Sequence, residues 1–130
     1  MMTTEQSKKL IKEYISAICK EKSEATIDKY VLDQNLKSHI IIFETGLPGY
    51  QFIVQDMIAE GNKVTVRLLA EGVHKGELFG MAPTGRKVKV EGIIIYELKN
   101  NKIVNHWMQV DSVALFQQIG AQPQEAAKGG

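Results

Sequence analysis

Two pairs of long β-forming segments, each joined by a two-residue turn, constrain the fold of this chain most strongly. Apolar and polar residues alternate on both sides of Gly61-Asn62 and again on both sides of Asn100-Asn101. Gly and Asn tolerate the positive φ angles that tight hairpin turns require. The pattern therefore predicts two β-hairpins. The four predicted strands are residues 51–59, 63–73, 87–99 and 102–110.

The helix signals lie before these hairpins, with one more after them. Thr3 and Gln6 have the spacing of a capping box, and Leu10, Ile11 and Tyr14 follow at helical intervals. The remaining caps predict three further helices. These are 23–31 after Ser23, 35–44 after Asp33, and 112–119 ending at Gly120. Helices followed by an antiparallel sheet indicate an α+β domain.

Length and charge limit the organisation and the partners. We expect one domain over residues 1–120 and a flexible tail over 121–130. Sixteen basic and fifteen acidic residues give a net charge of +1, which predicts neither nucleic-acid binding nor attraction to an anionic membrane. Cys19 is the single cysteine, so we expect no disulfide, and a reducing cytoplasmic location fits. The charged residues among the first twenty argue against a signal-peptide core, and no apolar run is long enough for a membrane span.

The turn at Asn100-Asn101 also predicts a register for the second hairpin. Simple pairing from that turn places Tyr96, Trp107, Gln109 and Asp111 on one face of the sheet and His106 on the other. Both faces then carry apolar residues. A sheet that is apolar on both sides needs cover on both sides. The helices suffice for one face, so we expect a second copy of the chain to cover the other, forming a homodimer through the sheet.

The second half of the chain carries a specific order of motifs. DMIAEGNKVTVR is followed by GVHKGELFGMAPTGRKV, by IIIYELKNNKIVNHW and by a D-x-x-x-L-F-Q-Q-I-G helix. This order resembles the SnoaL-like polyketide cyclase (ester cyclase) family of the nuclear transport factor two-like superfamily. The resemblance implies a cone-shaped, cystatin-like α+β fold with a pocket at the open end of a curved sheet. It further implies closure of a polyketide ring by aldol condensation, without metal, cofactor or covalent intermediate.

In that family an Asp at the position of Asp111 serves as acid/base, assisted by a His. A carboxylate in an apolar surround is suited to both proton removal and proton return. The alternative is that Asp111 only caps the helix that begins at Ser112. His74 matches the family's G-x-H-x-G motif and is the second catalytic candidate, as a proton shuttle or oxyanion donor. Its alternative role is to fix the following loop by hydrogen bonds.

Six further residues are candidates for binding a flat or apolar ligand. Core packing is the alternative for the Trp and both Tyr residues, and Phe79 is a candidate lid or dimer contact. His39 is taken as structural or pocket-lining, and His106 as an interface or structural residue. The His residues lie in separate elements, without metal-ligand spacing, so no metal site is predicted. The six ligand-binding candidates are Tyr14, His39, Phe79, Tyr96, Trp107 and Gln109.

These patterns lead to two hypotheses about function. The first is an enzyme that performs acid/base chemistry, such as aldol-type cyclisation or isomerisation, on a small hydrophobic carbonyl compound. The second is a non-catalytic protein of the same fold that binds a small ligand or serves as a dimerisation module. The two differ in whether a titratable group meets an open pocket.

Overall fold

A computed structural model describes residues 2–120 of the chain; the predicted tail, 121–130, lies outside the described residues. Four helices and four strands form in the predicted order. The helices are α1 (Thr4–Lys20), α2 (Glu24–Tyr30), α3 (Gln34–Gly46) and α4 (Ser112–Gln118). The strands are β1 (Gln51–Glu60), β2 (Lys63–Val73), β3 (Lys87–Lys99) and β4 (Lys102–Val110). The predicted α+β class is confirmed.

The helices begin where their capping residues predicted. Thr3 and Gln6 form the reciprocal capping box, with bonds of 2.9 and 3.1 Å. The Ser23 hydroxyl accepts from the Thr26 amide, and the Asp33 carboxylate accepts from two amides of α3. Each side chain satisfies amides that the first helical turn leaves without an intrahelical partner. The predicted caps of α1, α2 and α3 are therefore confirmed.

The four strands form one antiparallel sheet in the order β1-β2-β3-β4. Asn100 and Asn101 adopt φ of 52° and 62°, as the tight turn requires. The inner face of the sheet packs on the helices, where Tyr14 of α1 and Tyr96 of β3 are almost completely buried. This arrangement is the predicted helix-covered sheet of the cone-shaped fold. Among the described helices, none has the length and apolarity needed to cross a membrane.

Each edge strand carries one β-bulge. In β1 the pairing shifts between Val54 and Asp56, and in β4 it shifts at Val104, directly after the pair of Leu98 and Ile103. A bulge inserts one unpaired residue. Every residue beyond it then lies on the other face of the sheet from the one that simple alternation from the turn predicts. Asp56 pairs with Arg67 and Glu60 with Lys63, as simple pairing from the Gly61-Asn62 turn predicts, because these residues lie between the β1 bulge and the turn.

The predicted register of the second hairpin is wrong beyond Ile103. Trp107 pairs with Ile95 and Gln109 with Ile93, where simple pairing predicted Ile94 and Gly92. As a result Trp107 lies on the outer face and is 50% exposed, whereas Tyr96 lies on the inner face and is fully buried. His106 pairs with Tyr96 and faces the helices. The face predicted to hold the pocket is the outer surface of the sheet.

Candidate active site

A segment from the helical half of the chain pairs with β4 directly before the bulge at Val104. Val31, directly after α2, forms a parallel bridge with Ile103. The amides of Leu32 and Asp33 both donate to the Ile103 carbonyl, at 2.8 and 3.2 Å. The link between α2 and α3 therefore runs along the edge of β4 and places Asp33 beside the part of β4 that the bulge has turned inward.

Asp33 uses its two carboxylate oxygens for different partners. Oδ1 caps α3 by accepting from the amides of Asn35 and Leu36, at 2.9 and 3.2 Å. Oδ2 lies 2.7 Å from Nδ1 of His106. Because the cap fixes the carboxylate, Asp33 orients the imidazole of His106 and favours the tautomer that carries its proton on Nδ1.

The second ring nitrogen of His106 contacts His39 of α3. The Nε2 atom of His106 lies 3.0 Å from Nδ1 of His39, and the two rings meet edge to face at 81°. Nε2 of His39 makes no hydrogen bond within residues 2–120. Asp33, His106 and His39 thus form one chain of hydrogen bonds, termed here the relay, whose last nitrogen is open for a proton.

Burial and hydrogen bonding set the charges along the relay. The side chains of His106 and Asp33 are 5% and 8% exposed. Burial alone would raise the pKa of Asp33, but the bonds from His106 and from the helix amides outweigh it and lower the pKa. For His39, burial and the neighbouring His106 lower the pKa, while the Asp33 charge acts weakly in the opposite direction. His39 is therefore neutral at neutral pH, the form that accepts a proton.

The relay ends at a cavity of about 220 Å³ near the start of α4, termed here the vestibule. Four of its residues also line a smaller space of about 30 Å³ between the helices and the sheet, termed here the inner cavity. The two spaces adjoin through these shared walls, and the inner cavity is almost wholly apolar. The shared residues are Phe43, Met108, Val110 and Leu115.

A larger cleft, about 1000 Å³, lies at the far end of the molecule between α1, α2 and the hairpin turns. It is open to solvent and contains none of the predicted site residues. Residues 2–120 contain no group of three or more His, Cys, Asp and Glu side chains placed to hold a metal ion. The vestibule is the cavity in which the candidate residues and a titratable relay meet.

Asp111 does not point into the vestibule as predicted. It follows β4 on the outer side, and Oδ1 accepts a hydrogen bond from the amide of Ala114, at 3.0 Å. This bond is the N-cap of α4, and within the described chain the carboxylate binds only this amide of its own helix. The capping alternative is confirmed, and the predicted orientation is wrong because the bulge reverses the face on which Asp111 lies.

His74 is also placed by structural bonds. It is completely buried, its Nδ1 lies 3.0 Å from the hydroxyl of Thr84, and its amide donates to the carbonyl of Arg86. These bonds close the loop between β2 and β3. His74 lines neither the vestibule nor the inner cavity, and its bonds match the alternative role of fixing the following loop. Asp111 instead lines, with Gln109, a separate open cleft of about 290 Å³ on the outer side of the sheet. Catalytic roles for Asp111 and His74 remain predictions.

The aromatic candidates divide between the core and the surface. Tyr14 and Tyr96 pack edge to face, with ring centroids 5.6 Å apart, and burial raises the pKa of both hydroxyls. Core packing, the alternative for both, is confirmed. Trp107 lies on the outer face with the Lys63 ammonium 5.6 Å from its ring. Gln109 at the strand end, together with His39 and Phe79, lines the vestibule.

Sequence reasoning missed two members of the relay. Asp33 was predicted only as a helix cap, and His106 was assigned to the face away from the pocket. The sequence does carry one signal for the pair: an Asp cap uses one oxygen and leaves the second free to orient a nearby His. The partner itself is 73 positions away, so local patterns do not identify it.

Comparison with known proteins identifies the fold family. The family model described as SnoaL-like polyketide cyclase matches residues 3–119. The chain belongs to this family. A comparison with curated proteins finds no match.

Solved structures of similar fold include three proteins from Streptomyces. AclR of Streptomyces galilaeus, a proposed hydroxylase, has a TM-score of 0.80 at 21% identity, over 97% of this chain and 92% of its own. TsrD of Streptomyces laurentii has a TM-score of 0.80 at 18% identity, over 93% and 99%. IdmH of Streptomyces antibioticus, a proposed polyketide cyclase, has a TM-score of 0.74 at 20% identity, over 89% and 99%. At these identities the SnoaL-like fold is shared, and the reaction is a separate question.

Proposed function

We propose that this SnoaL-like protein catalyses acid/base chemistry on a small, uncharged, hydrophobic carbonyl compound bound in the vestibule. Aldol-type cyclisation and isomerisation both belong to this class. The observation that carries the proposal is the relay, which connects a capped carboxylate through His106 to a neutral His39 at a mostly apolar cavity. His39 takes the role that the sequence suggested for Asp111.

The proposed chemistry needs proton transfer alone. Nε2 of His39 removes a proton from the carbon next to a carbonyl, and the C–H electrons form an enolate. The Nδ1–H of the resulting imidazolium donates to Nε2 of His106, whose Nδ1–H donates to the Asp33 carboxylate. The enolate carbon then attacks a second carbonyl carbon, and the new alkoxide takes the proton back from His39. A paired base of this kind contributes typically 10²–10⁴-fold to the rate.

The walls of the vestibule determine what it can accept. Apart from His39, the polar lining consists of Gln109 and Ser112, and none of the lining residues is Asp, Glu, Lys or Arg. The Ser112 hydroxyl donates to the Val110 carbonyl, at 3.3 Å, and would turn from it to donate to a carbonyl or enolate oxygen. At about 220 Å³ the space is smaller than the ~300–1,000 Å³ of drug-sized pockets. The proposed substrate therefore has one or two rings and no charge.

Ligand binding without turnover is the second candidate. It is favoured by the inner cavity, which at about 30 Å³ leaves little space behind the vestibule for a folded polyketide. In this case the relay only fixes α3 to β4, and His39 contributes one hydrogen bond to a bound carbonyl. The two candidates predict the same binding and different turnover.

A homodimer through the outer face of the sheet is part of the proposal. Ile58, Ile93 and Trp107 expose 67%, 46% and 50% of their surface on that face, which leaves large apolar side chains uncovered in a single chain. A cytoplasmic location also fits, because Cys19 is a free thiol. Neither feature is needed for the chemistry at the vestibule.

Exchange of the acidic C1 protons of 2-tetralone for deuterium, followed by NMR, tests the proposed base. We expect the protein to accelerate exchange, and His39→Gln to reduce the acceleration by about 10²–10⁴-fold while binding is kept. Because the pKa of His39 lies below its usual 6.5, activity should persist at pH 6.5 and fall only at lower pH, as His39 becomes protonated.

Asp111→Asn is the matched control for the exchange experiment, since Asn retains the cap and removes the carboxylate. Exchange at the wild-type rate in this variant supports His39. Loss of exchange in folded Asp111→Asn, with His39→Gln unaffected, would return the catalytic role to Asp111. Binding of 2-tetralone without any acceleration over buffer would establish the second candidate.

A further inference from the structure

The loop over the vestibule contains a turn with an unusual residue. Leu78 and Met81 exchange both backbone hydrogen bonds, at 3.1 and 2.9 Å, around the two-residue tip Phe79-Gly80. The φ angles at the tip are +50° and +80°. A turn of this shape requires positive φ at both positions and normally contains Asn, Asp or Gly. Within residues 2–120, the other non-Gly residues with positive φ are Asn100 and Asn101.

The base of this turn is fixed to α3. Leu78 is 1% exposed and packs against Gly46, where an added Cβ would lie 2.7 Å from the Leu78 Cβ. Gly76 approaches the Thr45 carbonyl so closely that no side chain fits there. The amides of Lys75 and Gly76 both donate to the Gly46 carbonyl. The position of the tip is thus set by its base, without need for the Phe79 ring.

The ring of Phe79 lies between two helices and remains open on one side. Its centroid is 5.9 Å from that of Phe43 in α3 and 6.2 Å from that of Phe116 in α4, both edge to face. The residue is nevertheless 55% exposed and lines the vestibule. A strained φ combined with an exposed aromatic ring is not explained by core packing. Strain of this kind persists at functional sites, where it positions a side chain for a ligand.

We propose that Phe79 determines substrate specificity by offering its ring as an aromatic wall that selects a carbonyl compound containing a planar aromatic ring over its saturated counterpart. Aromatic pairs gain from offset or edge-to-face contact in addition to burial, and a puckered ring does not make these contacts. The inference rests on the proposed function, since it assigns the ligand to the same vestibule. It makes the ligand a carbonyl compound that contains a planar aromatic ring.

The test compares binding of 2-tetralone, which has a planar aromatic ring, with binding of 2-decalone, its saturated analogue. Dissociation constants are measured by calorimetry for the wild type, Phe79→Asn and Phe79→Leu. We expect the wild type to prefer 2-tetralone by about 10-fold, in line with the contribution of one aromatic contact. Both variants should lose most of this preference, and Phe79→Leu, which keeps an apolar side chain, should still bind both ketones.

Thermal stability provides a second measurement on the same Phe79 variants. Asn tolerates positive φ, so Phe79→Asn should raise the melting temperature by about 2–6 °C while weakening the binding of 2-tetralone. A purely structural ring would give the opposite result, a lower melting temperature. Asn100→Phe is the matched control: it introduces the same strain at the Asn100-Asn101 turn and should lower stability without changing the preference.

The outcomes separate this inference from the proposed base. An unchanged preference in both Phe79 variants, or a failure of wild type to bind 2-tetralone more tightly than 2-decalone, would overturn the role of Phe79. If the preference depends on Phe79 but the protein does not accelerate proton exchange, the specificity wall stands and the proposed catalysis fails.

Discussion

The two hairpins share turn length and pairing direction, and each has one bulge on its edge strand, yet the consequences differ. In β1 the bulge at Gln55 lies far from the turn and changes the facing of only the first four residues of the strand, Gln51–Val54. In β4 the bulge at Val104 follows the second paired residue after the turn, so most of the strand, Asn105–Val110, changes face. The distance of a bulge from its turn therefore decides how many side chains change face.

The first hairpin serves as scaffold, whereas the second hairpin carries a residue of the proposed site. The β1–β2 hairpin presents the exposed ion pair of Asp56 and Arg67 on its outer face, at 2.6 Å, which contributes little to stability. The rotation of β4 turns His106 toward Asp33 and leaves Trp107 outside. One inserted residue thus assembles the relay and exposes an aromatic surface.

Insertion of one Ala directly after Val104 is the strongest test of the comparison. The extra residue shifts the pairing by one and would turn His106, Met108 and Val110 outward, so we expect a loss of more than about 3 kcal/mol in the free energy of unfolding and loss of the relay. Insertion of one Ala directly before Gln55 is the matched change in the first hairpin and should cost only about 1–2 kcal/mol, because only the four residues Gln51–Val54 change face. Urea unfolding measures both. Equal losses would contradict the importance of bulge position.

The exposed aromatic surface gives the next largest effect. If the outer face of the sheet forms the homodimer, Trp107→Glu buries a charge at the interface and should weaken dimerisation by at least about 30-fold. Sedimentation across a range of concentrations measures the change. Ile41→Glu is the control, since Ile41 is 59% exposed on α3 and lies away from the sheet. A wild-type chain that sediments only as a monomer would remove this part of the proposal.

The smallest expected effect concerns the end of β4. Because Asp111 caps α4, Asp111→Ala should lower the free energy of unfolding by about 1 kcal/mol, and Asp111→Asn by only a few tenths. Thermal unfolding at neutral pH distinguishes the two. A large and equal loss in both variants would mean that the carboxylate has a charged partner beyond its own helix.

The elements, the caps and the turns could be predicted because each depends on neighbouring residues. Thr3, Ser23 and Asp33 bond to amides within three positions, and Asn100-Asn101 needs only its own backbone conformation. The bulge that turns His106 inward lies next to a bridge between Ile103 and Val31, which is far away in sequence. The position of the bulge is not visible in the local sequence. Because a one-residue shift exchanges the inward and outward residues of β4, the site residues on this strand were assigned to the wrong faces.

The bridge between Val31 and Ile103 also bears on how the protein folds. Asp33 and His106 are separated by 73 positions, so their bond closes a long chain loop, whereas the hairpins close loops of a few residues. Contacts at such separation form late in folding, after local structure has reduced the search. The proposed catalytic centre would therefore be absent from a partly folded chain that already has its hairpins. Acquisition of the His39–His106 contact should then report completion of folding, and local opening of residues 31–33 would disconnect the relay while the sheet stays intact.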